Sequence, residues 1–158
     1  MKANNGSGNN ESRDMWETPI IMFELLDKEY GFNFDCCANK NNSKCWQWSE
    51  DFENERLITE TAWMNPPFSK AHDMFIHFFK SVKKGVAIYR CDNMETKIWQ
   101  EVILLNADWI FIPNKRIAYE GMNGSGSRFP SALIGFNVKE PKGLKGTLLQ
   151  ITKQGGLK

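Results

Sequence analysis

The sequence predicts an α/β domain in three layers, with a mostly parallel sheet and an antiparallel edge. Three observations predict it. Apolar runs of strand length alternate with segments of helical period along the chain. The stretch "AWMNPPFSKAHDMF" passes from strand through a double-proline turn into a helix, because neither proline can donate a ladder hydrogen bond. The closing apolar runs are joined by short links, which suits antiparallel neighbours.

The elements follow in chain order. In "DMWETPIIMFELLDKEYGF", Thr18 can cap a helix and Pro19 suits its first position. Ile20, Phe23, Leu26 and Tyr30 recur at helical spacing, and Gly31 can end the helix. "FNFDCCA" reads as a short strand ending at Asp35. A polar, loop-like stretch follows, with a short strand around residues 45–48. "TAWMN" is the next strand. A helix comes after it, with Met74, Phe75, Phe78, Phe79 and Val82 as its apolar stripe and Gly85 as its stop. "VAIYRC" is a buried strand, "ETKIWQEVILLNA" a helix and "DWIFIP" a strand. "KRIAYEG" and "SALIGFNV" read as a hairpin, and "GTLLQITK" as a final strand.

Composition bounds the function. The 158 residues suit one domain, read as 14–153 between a polar tail at 1–13 and a frayed end at 154–158. Hydrophobic residues make up 41 %, enough for one core. A net charge of +1 gives no global field, so any nucleic-acid contact must come from a local patch. No apolar run approaches the roughly 18 residues of a membrane span, and the N-terminus lacks a signal peptide's apolar core. Reduced cytosolic thiols are therefore the expectation for Cys36, Cys37, Cys45 and Cys91. They form no C-x-x-C pair, and no metal site is read. Trp46, Trp48, Trp63, Trp99 and Trp109 read as core or interface, and His72 and His77 as surface or partly buried rather than as a base.

The chemistry lies in "NPPF". The Asn65 side-chain oxygen and the rigidly held Pro66 carbonyl are two acceptors at a strand end. Converging, they bind an –NH2 group through both hydrogens and relieve charge as its nitrogen becomes cationic. Phe68 offers a flat face for a planar ring. Such a pocket holds an exocyclic amine on a base that is flipped out or single-stranded.

"NPPF" resembles the [DNS]-P-P-[YFW] motif of amino-methyltransferases, which use S-adenosylmethionine to methylate adenine N6 or cytosine N4. The ordered set W-x-T-P, F-x-x-D-x-x-A, K-C, W-x-N-P-P-F-S and F-P-S-A-L, over residues 16–133, resembles the small Dam-like DNA N-6-adenine methyltransferases of bacteriophages and prophages. The resemblance implies a Rossmann-like methyltransferase fold and S-adenosylmethionine as cofactor, with S-adenosylhomocysteine as product and no metal. It implies a duplex DNA partner with a flipped adenine, action in the host cytoplasm, and protection of a viral genome from nucleases. It assigns the amine to Asn65 and Pro66, the shape of the turn to Pro67 and stacking to Phe68. Trp16, Thr18 and Pro19 then line the methionine side of the cofactor, and Asp35 lies near its amino acid end, with Ala38 in the same motif. Glu50 or Asp51 binds the ribose through its carboxylate. Ser69, Lys115, Arg116 and Arg128 are candidates for DNA contacts. Gly121, Gly124 and Gly126 give the segment before Arg128 freedom to close on substrate.

The chain departs from many methyltransferases in "DCCANKNNSKC", which has no glycine after the first strand. That departure keeps open a non-catalytic nucleic-acid-binding module of the same fold. A cytosine-N4 or RNA methyltransferase is the nearer alternative. Other chemistries fail on inventory: no cysteine follows a proline, as C5 methylation needs, and neither a P-loop nor a zinc-deaminase signature occurs.

Overall fold

The computed structural model describes residue 14, residues 16–119 and residues 129–152. The tails at 1–13 and 154–158, Gly121, Gly124, Gly126 and Arg128 lie outside the described residues.

Seven strands form one sheet: β1 (Phe34–Asp35), β2 (Gln47–Trp48), β3 (Ile58–Met64), β4 (Val82–Arg90), β5 (Trp109–Pro113), β6 (Ser131–Phe136) and β7 (Gly146–Gln150). The spatial order is β2-β1-β3-β4-β6-β5-β7. The junctions of β1 with β2, β1 with β3 and β3 with β4 are parallel. Those of β4 with β6, β5 with β6 and β5 with β7 are antiparallel. The sheet is thus mixed, which corrects the mostly parallel expectation. The cause is local: no helix intervenes between β5 and β6 among the described residues, and a strand that returns without a crossover pairs antiparallel. β6 then inserts between β4 and β5, so antiparallel pairing reaches the sheet interior as well as its edge.

Strand alternation divides the core in two. Ala62, Met64, Ala87, Ile110, Ala132 and Ile134 face one side, where α2 (Ala71–Ser81) and α3 pack. Here α3 is a π-helical segment, Ile98–Ile103, continued by one α-turn, Leu104–Asn106. Trp63, Val86, Ile88, Trp109, Phe111 and Leu133 face the other side, against Phe23 and Leu26 of α1 (Ile20–Tyr30). Three layers result, as the sequence predicts.

Four local expectations change. Thr18 makes no cap bond: Pro19 takes the cap position of α1, with no side-chain cap hydrogen bond. Gly31 does end α1, at φ 64°, with its N–H donating to the Asp27 carbonyl at 2.8 Å. Helix α2 stops at Ser81, and Val82 already opens β4. Gly85 therefore sits inside a strand, where an added Cβ would lie 2.4 Å from the Ala62 carbonyl oxygen. The hairpin partner of β6 is β5, and residues 116–119 form no strand.

Among the large aromatics, Trp63, Trp99 and Trp109 are core. The indole N–H groups of Trp99 and Trp109 donate to the carbonyls of Arg90 (3.0 Å) and Val138 (2.8 Å). Trp46 is 88 % exposed and Trp48 41 %, so neither is core. The His77 and Phe52 rings meet edge to face at 4.7 Å, and His77 Nε2 bonds the Glu55 carbonyl at 2.8 Å. Among the described residues, no helix is long and apolar enough to cross a membrane.

Candidate active site

The chain places β2 and β3 on opposite sides of β1, so strand order reverses beside β1. In open α/β sheets, ligands bind outside the carboxyl ends of strands at such a reversal. A cleft lies there. Asp35 ends β1, Ser49 follows β2 and Asn65 follows β3, and all three line it.

Asp35 is 3 % exposed. The backbone N–H groups of Lys44 (3.0 Å) and Cys37 (3.4 Å) donate to its two oxygens. Burial nevertheless outweighs these donors and pushes the carboxyl up to about 6.

Asn65 is oriented from across the cleft. Its Nδ2 donates to the Trp16 carbonyl at 3.2 Å, so Oδ1 is the group left to accept. The Pro67 carbonyl is taken by the Lys70 N–H at 3.1 Å, whereas the Pro66 carbonyl accepts no hydrogen bond among the described residues. Trp16 is itself pinned, stacked on Tyr119 and Phe129 at ring distances of 6.1 Å. Asp14 completes the strap: its carboxylate accepts from the backbone N–H and hydroxyl of Ser69. Thr18, two residues past Trp16, is 1 % exposed, and its Oγ1 has no hydrogen-bond partner among the described residues. That orphaned hydroxyl lies in the cleft wall with Asp35 and Asn65.

Phe68 lies in an aromatic cluster rather than in the cleft wall. Its ring meets Phe129 at 5.5 Å, Trp16 at 6.0 Å and Tyr89 at 6.2 Å. Arg90 lies over the Phe129 ring, 4.6 Å from its centroid, and is held by two bonds to Asp92 (2.7 and 2.6 Å). The Tyr119 hydroxyl and Ser131 Oγ share a buried hydrogen bond of 2.8 Å.

The structure brings together Trp16, Thr18, Asp35, Ala38, Glu50, Asn65 and Pro67 around this cleft. Between the two ribose candidates, Glu50 lines it, while Asp51 turns away and accepts from Asn54 Nδ2 at 2.6 Å. Pro19 is elsewhere, in an apolar surface hollow that also contains Lys115 and Arg116. Sequence reasoning missed Lys44 and Glu17, whose side chains pair at 3.0 Å in the cleft wall. The K-C motif carried the only signal for Lys44, and nothing local marks its partner 27 residues away. Among the described residues, no His, Cys, Asp and Glu side chains converge as a metal-binding group.

A family model described as DNA N-6-adenine-methyltransferase (Dam) matches residues 6–152, nearly the whole chain. The chain belongs to the Dam family. A search of curated proteins gives no match. The Dam match spans every strand of the sheet and both walls of the cleft. In this Dam chain, the N-P-P-F stretch sits at the end of β3, directly beside the cleft.

Proposed function

We propose that this protein transfers a methyl group from S-adenosylmethionine to the N6 amine of adenine in DNA. The observation that carries the reading is the orientation of Asn65. With Nδ2 held by the Trp16 carbonyl, Oδ1 and the Pro66 carbonyl, unpartnered among the described residues, are two acceptors on consecutive residues. They accept the two N–H groups of the adenine amine, set its lone pair in one direction and offset the positive charge that develops on nitrogen. No side-chain base is needed, since the proton leaves for solvent after transfer. Pro67 holds the turn. Phe68 gives up one ring contact and stacks the flipped base.

The residues present fit the cofactor. The cleft has a buried hydroxyl without a partner at Thr18, a buried carboxylate at Asp35 and an exposed carboxylate at Glu50. When bound, S-adenosylmethionine supplies an electrophilic methyl group on a sulfonium. Trp16, Thr18 and Asp35 hold its methionine part, Ala38 lies along the same wall, and Glu50 accepts from the ribose hydroxyls. The walls hold the cofactor and fix the angle of approach. The resemblance to phage and prophage enzymes favours phage DNA as the natural substrate.

The test is a methylation reaction with purified protein, labelled S-adenosylmethionine and adenine-unmethylated duplex DNA, read by mass spectrometry of the nucleosides. N6-methyladenine is the expected product. N4-methylcytosine would transfer the mechanism to another base. No product, with no binding of S-adenosylhomocysteine by calorimetry, overturns the reading in favour of a binding module. Asn65→Ala is expected to lower the rate by about a hundredfold to a thousandfold, the loss seen for one oxyanion-type hydrogen-bonding group. Cofactor affinity should be largely spared, because the Asn65 oxygen acts on the amine.

A further inference from the structure

The Lys44–Glu17 pair has no role in the chemistry above, yet both side chains line the cleft with Asp35 and Thr18. Among the described residues lining this part of the cleft, Lys44 is the sole Lys or Arg. Its side chain is only 11 % exposed, against 36 % for Glu17. Burying an ammonium group is costly unless it is paired and hydrogen-bonded. Lys44 is also tied to the site through its backbone, since its N–H donates to Asp35 Oδ2 at 3.0 Å. An ammonium has three N–H donors, and among the described residues only the one donated to Glu17 Oε2, at 3.0 Å, is engaged. Thr18 lines the same part of the cleft, and its buried hydroxyl has no partner among the described residues. The wall therefore presents unspent donors next to carboxylates, a pattern that matches a zwitterion: an anionic end on the donors, a cationic end on the acids.

We propose that Lys44, tethered by Glu17 and assisted by the Thr18 hydroxyl, is the receptor for the α-carboxylate of the cofactor's amino acid end, while Asp35 receives its α-ammonium. The proposal rests on the cofactor reading above and goes further, assigning the carboxylate to a residue outside the motif roles. Charge-assisted hydrogen bonds are about twice as strong as neutral ones. Removing Lys44 then leaves the α-carboxylate in the cleft with only the Thr18 hydroxyl.

The experiment is a calorimetric titration of the full chain with two ligands. S-adenosylhomocysteine has the amino acid end, and 5′-methylthioadenosine is the same thioether nucleoside without it. The wild type is expected to prefer S-adenosylhomocysteine by about tenfold or more. Lys44→Met should lose most of that preference while binding methylthioadenosine as before, which also reports that the variant is folded. Lys44→Arg should recover part of the preference. A Lys44→Met variant that keeps the preference, or weakens both ligands equally, overturns the assignment. So does a wild type that binds both ligands equally. A wild type that binds neither overturns the cofactor reading itself, and the assignment with it.

Discussion

Asp35 shows how a single residue in the cleft couples folding to pH. The carboxyl ionises near 3.8 in an unfolded chain, and burial moves it to about 6 in the fold. The folded state therefore holds a proton that the unfolded state has lost between these values. Its contribution to stability is fully present below about pH 4 and is lost as pH rises through about 6. Urea midpoints of wild type and Asp35→Asn between pH 4 and 7 should diverge over this window, with the wild type losing stability relative to the variant as pH rises. Parallel curves would show that the carboxyl is not perturbed. Phe68 gives a second expectation at this scale. Stacking needs only a ring, so Phe68→Tyr should retain most activity and Phe68→Ala should lose much more. Equal rates would argue that the ring does not touch the base. Asn65 and Asp35 were legible because each ends an apolar run, a position that local sequence defines. Lys44 was not, since its significance depends on Glu17, far away in sequence.

The strands and helices show where periodicity runs out. Existence and type were legible for α1, α2, β5 and β7 from their patterns. The end of α2 was not, because its apolar stripe continues without a break into β4 at Val82. Nor can periodicity separate a π-helical from an α-helical turn in α3, where Ile98, Trp99, Val102 and Ile103 are buried. Three glycines inside strands, Gly85, Gly135 and Gly146, have steric causes that only pairing reveals. At Gly135, opposite Trp109 in the register, an added Cβ would lie 1.9 Å from the indole Cε2. Replacing glycine by alanine normally gains about 0.4–1 kcal/mol by restricting the unfolded chain. Overpacking a close-packed core costs about 1–3 kcal/mol, so Gly135→Ala should destabilise. Gly143→Ala is the contrast: its nearest neighbour, Glu29 Oε1, would be 3.5 Å away, and the change should be neutral or mildly stabilising. Denaturant midpoints for the two variants check the pair, and a stable Gly135→Ala would mean that Trp109 repacks.

The whole molecule has a net charge of +1, too little to hold DNA by a general field. Lys115 and Arg116 are exposed on the stretch after β5, with Lys145 beside them. If this patch meets the phosphates, binding weakens with salt by a slope of roughly 0.9 per contact. The double variant Lys115→Ala, Arg116→Ala should flatten the plot of log affinity against log salt by about 1–2, without changing which base is methylated. An unchanged slope would move the DNA track elsewhere on the surface. The sheet belongs to the same scale. Its parallel half builds the cleft, because β1 has β2 on one side and β3 on the other. Its antiparallel half brings Ser131 to the end of β4, with Phe129 two residues ahead of it against Phe68.

By itself the sequence determined the α/β class, the three layers, the double-proline turn after β3 and the place of Asn65 and Pro66 at the end of that strand. These follow from local causes: side-chain period, the missing N–H of proline, and the residue at a strand's end. Only the tertiary structure decided that β6 inserts antiparallel beside β4, that Thr18 faces the cleft instead of capping α1, that Glu50 and not Asp51 lines it, and that Lys44 stands opposite Glu17. Each of these is a contact between segments distant in the chain, and its free energy depends on burial and pairing that no short window of residues contains.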